Sequence, residues 1–152
     1  MPGCAPSFNV APQSVQPVVR LNRDADERVF ALLRWGLAPF SAKEAKIGYT
    51  TIDARAEEVA SKPTLREALK NRRCLVPADA FFDWQCLDAK LKCSFAIRLM
   101  SGEQYAFAGL RESWRHKDGE TLETFTVLTA DPNGGDGADP QPDAGDPRTE
   151  GL

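Results

Sequence analysis

Groups that bind metals or move protons near neutral pH are scarce in this chain. It has one histidine, His116, and four cysteines, Cys4, Cys74, Cys86 and Cys93, with no CxxC pair among them. Neither a zinc site nor a disulfide scaffold is expected on that count; buried or idle thiols in a reducing compartment are, with no metal and no cofactor. Long apolar runs are missing as well: none approaches the ~20 residues of a membrane span. The opening Met1-Pro2-Gly3-Cys4 has neither the basic nor the apolar part of a secretion signal. A cytoplasmic monomer of one domain, with no membrane partner, is the expectation for 152 residues of this kind.

What is present is unevenly spread. Residues 131–152 hold six acids (Asp131, Asp136, Asp139, Asp143, Asp146, Glu150) against Arg148, and they are almost free of apolar side chains. Such a segment cannot bury enough surface to offset its ordering entropy, so it reads as a disordered acidic tail behind a domain at residues 1–130. The domain itself carries 18 bases and 16 acids, a balance that permits a polyanionic partner without demanding one.

The centre of the domain is Arg72-Arg73-Cys74-Leu75-Val76-Pro77-Ala78-Asp79-Ala80-Phe81-Phe82-Asp83-Trp84. It reads as strand, turn, strand. Asp83 between Phe82 and Trp84 is either a general acid or base held in an apolar setting, or the solvated member of a strand whose aromatics face the core. Before it, residues 17–21 and 28–33 read as strands about a charged turn, residues 42–47 are ambiguous, and residues 49–52 read as a strand delivering Asp53-Ala54-Arg55 to its end. Residues 62–70 predict a helix, with a Thr64/Glu67 capping box and a Leu65, Ala68, Leu69 stripe. Arg72-Arg73 is a phosphate patch or a charge cluster complementing the helix end. After the centre, residues 94–99 and 104–110 predict a hairpin about Ser101-Gly102, and residues 125–129 a last strand. The sum is about seven strands and one good helix, an α+β fold of mainly antiparallel sheet.

Several segments then become recognisable together: Ser7-Phe8-Asn9-Val10-Ala11-Pro12, Arg34-Trp35-Gly36-Leu37-Ala38-Pro39, Ile47-Gly48-Tyr49, Ile52-Asp53-Ala54-Arg55-Ala56-Glu57, Lys62-Pro63, Arg73-Cys74-Leu75-Val76-Pro77-Ala78-Asp79, Phe82-Asp83-Trp84 and Ala106-Phe107-Ala108-Gly109-Leu110. In this order and spacing, over about residues 7 to 130, the chain resembles the SOS response-associated peptidase (SRAP) family of abasic-site processing proteins. The resemblance implies an SRAP-like fold and a partner in single-stranded DNA bearing abasic sites, so a protein associated with the nucleoid when bound. It also implies, in intact relatives, an N-terminal cysteine whose amine and thiol capture the lesion aldehyde as a DNA–protein crosslink, and a self-cleaving peptidase activity. Carried over by position, Asp83 and Asp53 take the catalytic places, Arg55 contacts DNA phosphate, Asn9 and Pro12 line the lesion pocket, and Trp35 belongs to the DNA-binding set.

This sequence departs from the family pattern at those places. Asp83 stands where the family has glutamate and Asp53 where it has asparagine, so a second negative charge faces the strand. Phe40-Ser41-Ala42 stands where an aromatic wedge is common. Cys4 matches no family cysteine, the family's His-Asp-Arg-x-Pro segment has no counterpart after Thr129, and His116 reads as a surface histidine. These departures fit an incomplete copy, truncated at both ends and unable to crosslink, with weak single-stranded DNA binding or no function left. Pro2 as an iminium-forming terminus is a remote route, and Trp84 and Trp114 are either core or base-stacking platforms. From another class, a hydrolase with Asp53 and Asp83 as a proton-sharing pair remains open.

Overall fold

A computed structural model describes residues 7–22, 24–86 and 92–130; the acidic tail, Pro2 and Cys4 lie outside that range. Among the described residues there are eight strands: β1 (Val15–Asn22), β2 (Glu27–Trp35), β3 (Asp53–Arg55), β4 (Arg73–Ala78), β5 (Phe81–Cys86), β6 (Lys92–Ile97), β7 (Tyr105–Arg115) and β8 (Thr121–Thr129). Two α-helices, α1 (Ala56–Val59) and α2 (Pro63–Asn71), and a 3-10 turn at Ala45–Tyr49 complete them. The fold is mainly antiparallel sheet with few helices, as the sequence predicts.

The principal sheet closes on itself. Its order is β2-β1-β4-β7-β8, and a short parallel pairing of Arg34 with Thr124 and Trp35 with Phe125 joins β2 back to β8. A closed ring removes the free edges that an open sheet would expose. β3 then pairs parallel with the end of the same β8 edge, Asp53 opposite Val127 and Arg55 opposite Thr129. A separate two-stranded ribbon, β5 with β6, leaves the ring after β4.

Strand alternation gives the ring two buried faces. Val18, Leu33, Cys74 and Phe125 fill the inside, with Trp35, Val76 and Val127 packed around them. Leu110 faces outward and is covered by Leu37, Val59, Leu65 and Ala68, so α1, α2 and the segment after β2 form the second layer. Of the polar groups trapped between the layers, Thr124 and Glu112 are paired, while the buried Thr126 hydroxyl has no hydrogen-bond partner among the described residues. The Thr124 hydroxyl accepts from the Ala38 N–H at 3.0 Å, and the buried Glu112 carboxylate pairs with Arg72 and accepts from the Phe40 N–H at 3.3 Å.

Four expectations are corrected. Residues 49–52 are not a strand: Gly48 and Tyr49 close a 3-10 turn, and it is Asp53–Arg55 themselves that pair with β8. The capping box does not form, because Pro63 occupies the first helical position and moves the N-cap back to Lys62, whose side chain makes no capping bond. β6 does not form a hairpin with β7; it pairs with β5, Phe82 opposite Ala96 and Trp84 opposite Ser94, while β7 pairs with β4 and β8. Phe82 and Trp84 are not core, being 60% and 65% exposed.

Candidate functional site

Strand directions decide which loops meet. β2, β4 and β8 run one way and β1 and β7 the other, so the ends of β2, β4 and β8 share one rim with the starts of β1 and β7. The lead-in to β1 carries Asn9 and Pro12, β2 ends at Trp35, and the end of β8 carries β3 with Asp53 and Arg55. Five of the six candidate residues therefore come from three separate segments to one rim.

Hydrogen bonds hold those segments in register. Gln13 donates its backbone N–H to the Trp35 carbonyl at 2.9 Å, and the Trp35 N–H returns to the Ser14 carbonyl at 2.9 Å. The Gln13 amide reaches the Gly48 carbonyl at 2.9 Å. The Trp35 indole N–H donates to the Ile52 carbonyl at 2.7 Å, fixing the residue just before Asp53, while its ring stacks on Phe125 at 6.3 Å between centroids and 11° between planes. Residues 36–52 form an excursion from the rim, closed at its neck by the Leu37 N–H on the Thr51 carbonyl at 3.0 Å. Inside the neck Gly36, at φ +121°, and Gly48 are in backbone contact: a Cβ on Gly48 would stand 2.6 Å from the Gly36 oxygen. Only glycine fits such an approach. Gln13 itself holds φ +72°, a left-handed conformation that costs a non-glycine residue energy and is kept by its two bonds.

Side chains on the rim are solvent-facing. Asn9, Pro12, Asp53 and Arg55 are exposed and Trp35 is half-buried. Phe8 and Tyr49 are 89% and 64% exposed, so two aromatic faces lie open on the segments tied together by Gln13 and Gly48. Neither was marked by sequence periodicity, since Phe8 sits in a loop and Tyr49 in a turn.

Asp83 comes from a different element. It lies on β5 of the ribbon, which begins two residues beyond β4 and leans on β7 through an edge-on contact of Phe81 with Phe107, 5.7 Å between centroids. Asp83 is exposed and its carboxylate accepts the Trp84 backbone N–H at 2.7 Å. Alternation places it on the Phe81 and Phe95 side of the ribbon, opposite Phe82 and Trp84. β3 pairs with β8 and β5 with β6, so no strand pairing joins Asp53 to Asp83.

The remaining groups fall elsewhere. Cys74 is buried inside the ring, and that burial pushes its thiol up to about 11, against a smaller opposing effect of Arg111. His116 is half-exposed in the turn between β7 and β8, paired with Asp118 at 2.8 Å. Trp114 is buried, its indole donating to the Ala42 carbonyl at 2.8 Å, which leaves no face for a base. No group of three or more metal-ligating side chains occurs among the described residues, and no helix among them is long and apolar enough to cross a membrane.

Residues 1–136 match the family described as SOS response associated peptidase (SRAP). The chain is 44% identical over 128 residues to the abasic site processing protein YoqW of Bacillus subtilis, covering 84% of this chain and 56% of that protein. It is 33% identical over 153 residues to the abasic site processing protein HMCES of Xenopus tropicalis, covering 83% of this chain and 46% of that one. A crystal structure of a Bacteroides thetaiotaomicron protein superposes with a TM-score of 0.71 at 30% identity, over 80% of this chain and 52% of that chain. A Bordetella bronchiseptica structure shares the fold at a TM-score of 0.73 and 23% identity, over 88% of this chain and 65% of that chain. This chain thus spans about half the length of the relatives it matches. With the family's collinear segments and its fold both in place, the chain belongs to the SRAP family.

Proposed function

We propose that this rim receives an unpaired DNA strand at an abasic site. Arg55 takes a backbone phosphate, Asn9 and Pro12 border the gap left by the missing base, and Trp35 positions the strand end that carries Asp53 and Arg55. The exposed rings of Phe8 and Tyr49 are platforms for flanking bases, whose stacking tolerates any sequence. Of the two carboxylates, Asp53, close to the phosphates, weakens binding by repulsion, and Asp83, on the separate ribbon, takes no part in this non-covalent binding.

The observation that carries the reading is the tie among three distant segments at one rim, through the bonds of Gln13 to Trp35 and Gly48 and of Trp35 to Ile52. The names of the relatives supply the lesion. Cys74 is sealed in the ring and Cys93 is half-buried on the ribbon, and the activity we assign to the rim is binding without covalent capture.

Fluorescence anisotropy with a labelled single strand, with and without one abasic site, tests it, alongside a denaturing gel. Salt-sensitive binding that prefers the lesion and leaves no band on the gel is the expected result. Equal affinity for duplex and single strand at low salt, or none for either, refutes it.

A further inference from the structure

The rim opposite the candidate site has a charge imbalance that the function proposed above does not use. There the end of β1, the start of β4 and the end of α2 surround a cleft of about 130 Å³ lined by Leu21, Lys70, Asn71, Arg73 and Arg111. Arg20, opposite Cys74, and Arg111, opposite Phe125, face the inside of the ring with a single carboxylate, Glu123, which is taken by Arg20 at 2.5 Å. Arg72 is likewise taken, by Glu112 on the outer face. Among the described residues neither Arg73 nor Arg111 has an ion-pair partner within 4.0 Å, and the Arg111 Nε is buried without a hydrogen-bond acceptor.

Lys70 adds a third cation on the cleft, only loosely held by Glu67 at 3.6 Å. The carbonyl end of α2 opposes these cations with at most about half an elementary charge. Positive charge is therefore in excess where an acceptor is missing. The burial of Arg111, and after it the nearness of Arg20, lower its affinity for its own proton, which marks the same want of a counter-charge.

We propose that this cleft is a phosphate site, in which Arg73, Arg111 and Lys70 converge on one tetrahedral oxyanion. The cleft has room for the ligand, since one water needs only about 10–15 Å³ on the same measure. Guanidinium groups suit it too, since their fixed forks match the spacing of phosphate oxygens. The phosphate can be the free ion or one carried by a nucleic acid, and both present the same chemistry to the cleft.

Thermal unfolding of the protein in inorganic phosphate, against chloride at equal ionic strength, is the test. Stabilisation by phosphate that is lost in Lys70→Ala/Arg73→Ala is expected. Both side chains are exposed, so that variant keeps the parent fold and its melting in chloride. Titration of amide resonances with phosphate should move signals of Arg73 and Arg111 and leave those of Asp53 and Arg55 still. The dissociation constant for phosphate should rise roughly tenfold or more in the double variant, the worth of one charge-assisted hydrogen bond. If single-stranded DNA without a lesion loses affinity in the same variant, the phosphate is nucleic-acid-borne; if it does not, the ligand is the free ion. Identical melting in the two salts, or phosphate stabilisation that survives the double substitution, overturns the assignment. Binding at the other rim is read separately through Arg55, so one result does not decide the other.

Discussion

Replacing Gly48 by alanine probes the assembly of the candidate site without touching any residue placed on the DNA. The added Cβ would stand 2.6 Å from the Gly36 oxygen and 3.2 Å from its carbonyl carbon, where ordinary contact begins at 3.4 Å. Both partners are backbone, so no side-chain rotation relieves the overlap and the neck of the 36–52 excursion must open by several tenths of an ångström. Overpacking of this kind costs about 1–3 kcal/mol. The bond from the Gln13 amide to the Gly48 carbonyl is strained as well, adding about 0.5–1.5 kcal/mol. A total near 2–4 kcal/mol lowers the melting temperature of a domain this size by roughly 5–15 °C. Because Gln13 is the link between the Asn9–Pro12 loop and the excursion, lesion-strand affinity measured well below melting should also fall. Gly36→Ala should be worse still, since φ +121° adds backbone strain to a 2.2 Å approach. Calorimetry and anisotropy on the same preparations decide it: Gly48→Ala melting within a degree of the parent would show that the two glycines are not a structural joint.

Three further outcomes are expected. Glu112→Ala removes a buried carboxylate from Arg72, which is itself about a quarter exposed, and should cost about 3 kcal/mol in urea unfolding; a loss below about 1 kcal/mol would contradict the pairing. Cys74 holds its proton more tightly folded than unfolded, so between about pH 9 and pH 11 the unfolded chain binds fewer protons and stability falls as pH rises, by about 1.4 kcal/mol per unit at most. Cys74→Ala should flatten that part of the pH profile relative to the parent, and parallel profiles would refute the burial argument. Arg55→Ala should weaken single-strand binding and shallow its salt dependence by roughly one unit of slope, whereas Asp53→Asn should strengthen binding; an unchanged slope or a weakened Asp53→Asn would remove these residues from the interface.

Local chemistry made the strands at β1, β2, β4 and β8 legible, since each is a run of β-favouring residues bounded by Gly, Pro, Asn or Asp. Pairing was less so. Residues 94–99 and 104–110 look like a hairpin because Ser101-Gly102 is a strong local turn, yet β7 is claimed by β4 and β8, and β6 finds Phe81–Cys86 instead. Residues 49–52 look extended by composition, but Gly48 must press against Gly36, and that long-range contact closes the chain into a turn there. Thr64 and Glu67 have the spacing of a capping box, which Pro63 overrides by starting the helix two residues early. The candidate residues Asn9, Pro12, Trp35, Asp53 and Arg55 came from family resemblance and share a rim. Gln13, Gly36 and Gly48, which hold that rim together, carry no chemistry of their own and are visible only once the chain has folded.

The rim owes its composition to how one edge of β8 is divided. β2 occupies that edge at Thr124 and Phe125, and β3 occupies it from Val127 to Thr129, both parallel to β8. The two strands lie end to end on that edge, and residues 36–52 leave it after Trp35 and return to it before Asp53. The Gly36 N–H on the Phe125 carbonyl at 2.7 Å is the exit, and the Val127 N–H on the Ile52 carbonyl at 3.2 Å is the return. The Ile52 carbonyl also accepts the Trp35 indole, so the last side chain before the exit fixes the backbone at the return. Such an arrangement holds the two feet of the excursion in place. A site built from the feet, with Asn9 and Pro12 pinned beside them through Gln13, keeps its geometry because the closed ring underneath has no other register available: sliding β2 by one residue along β8 would turn Leu33 and Trp35 out of the core.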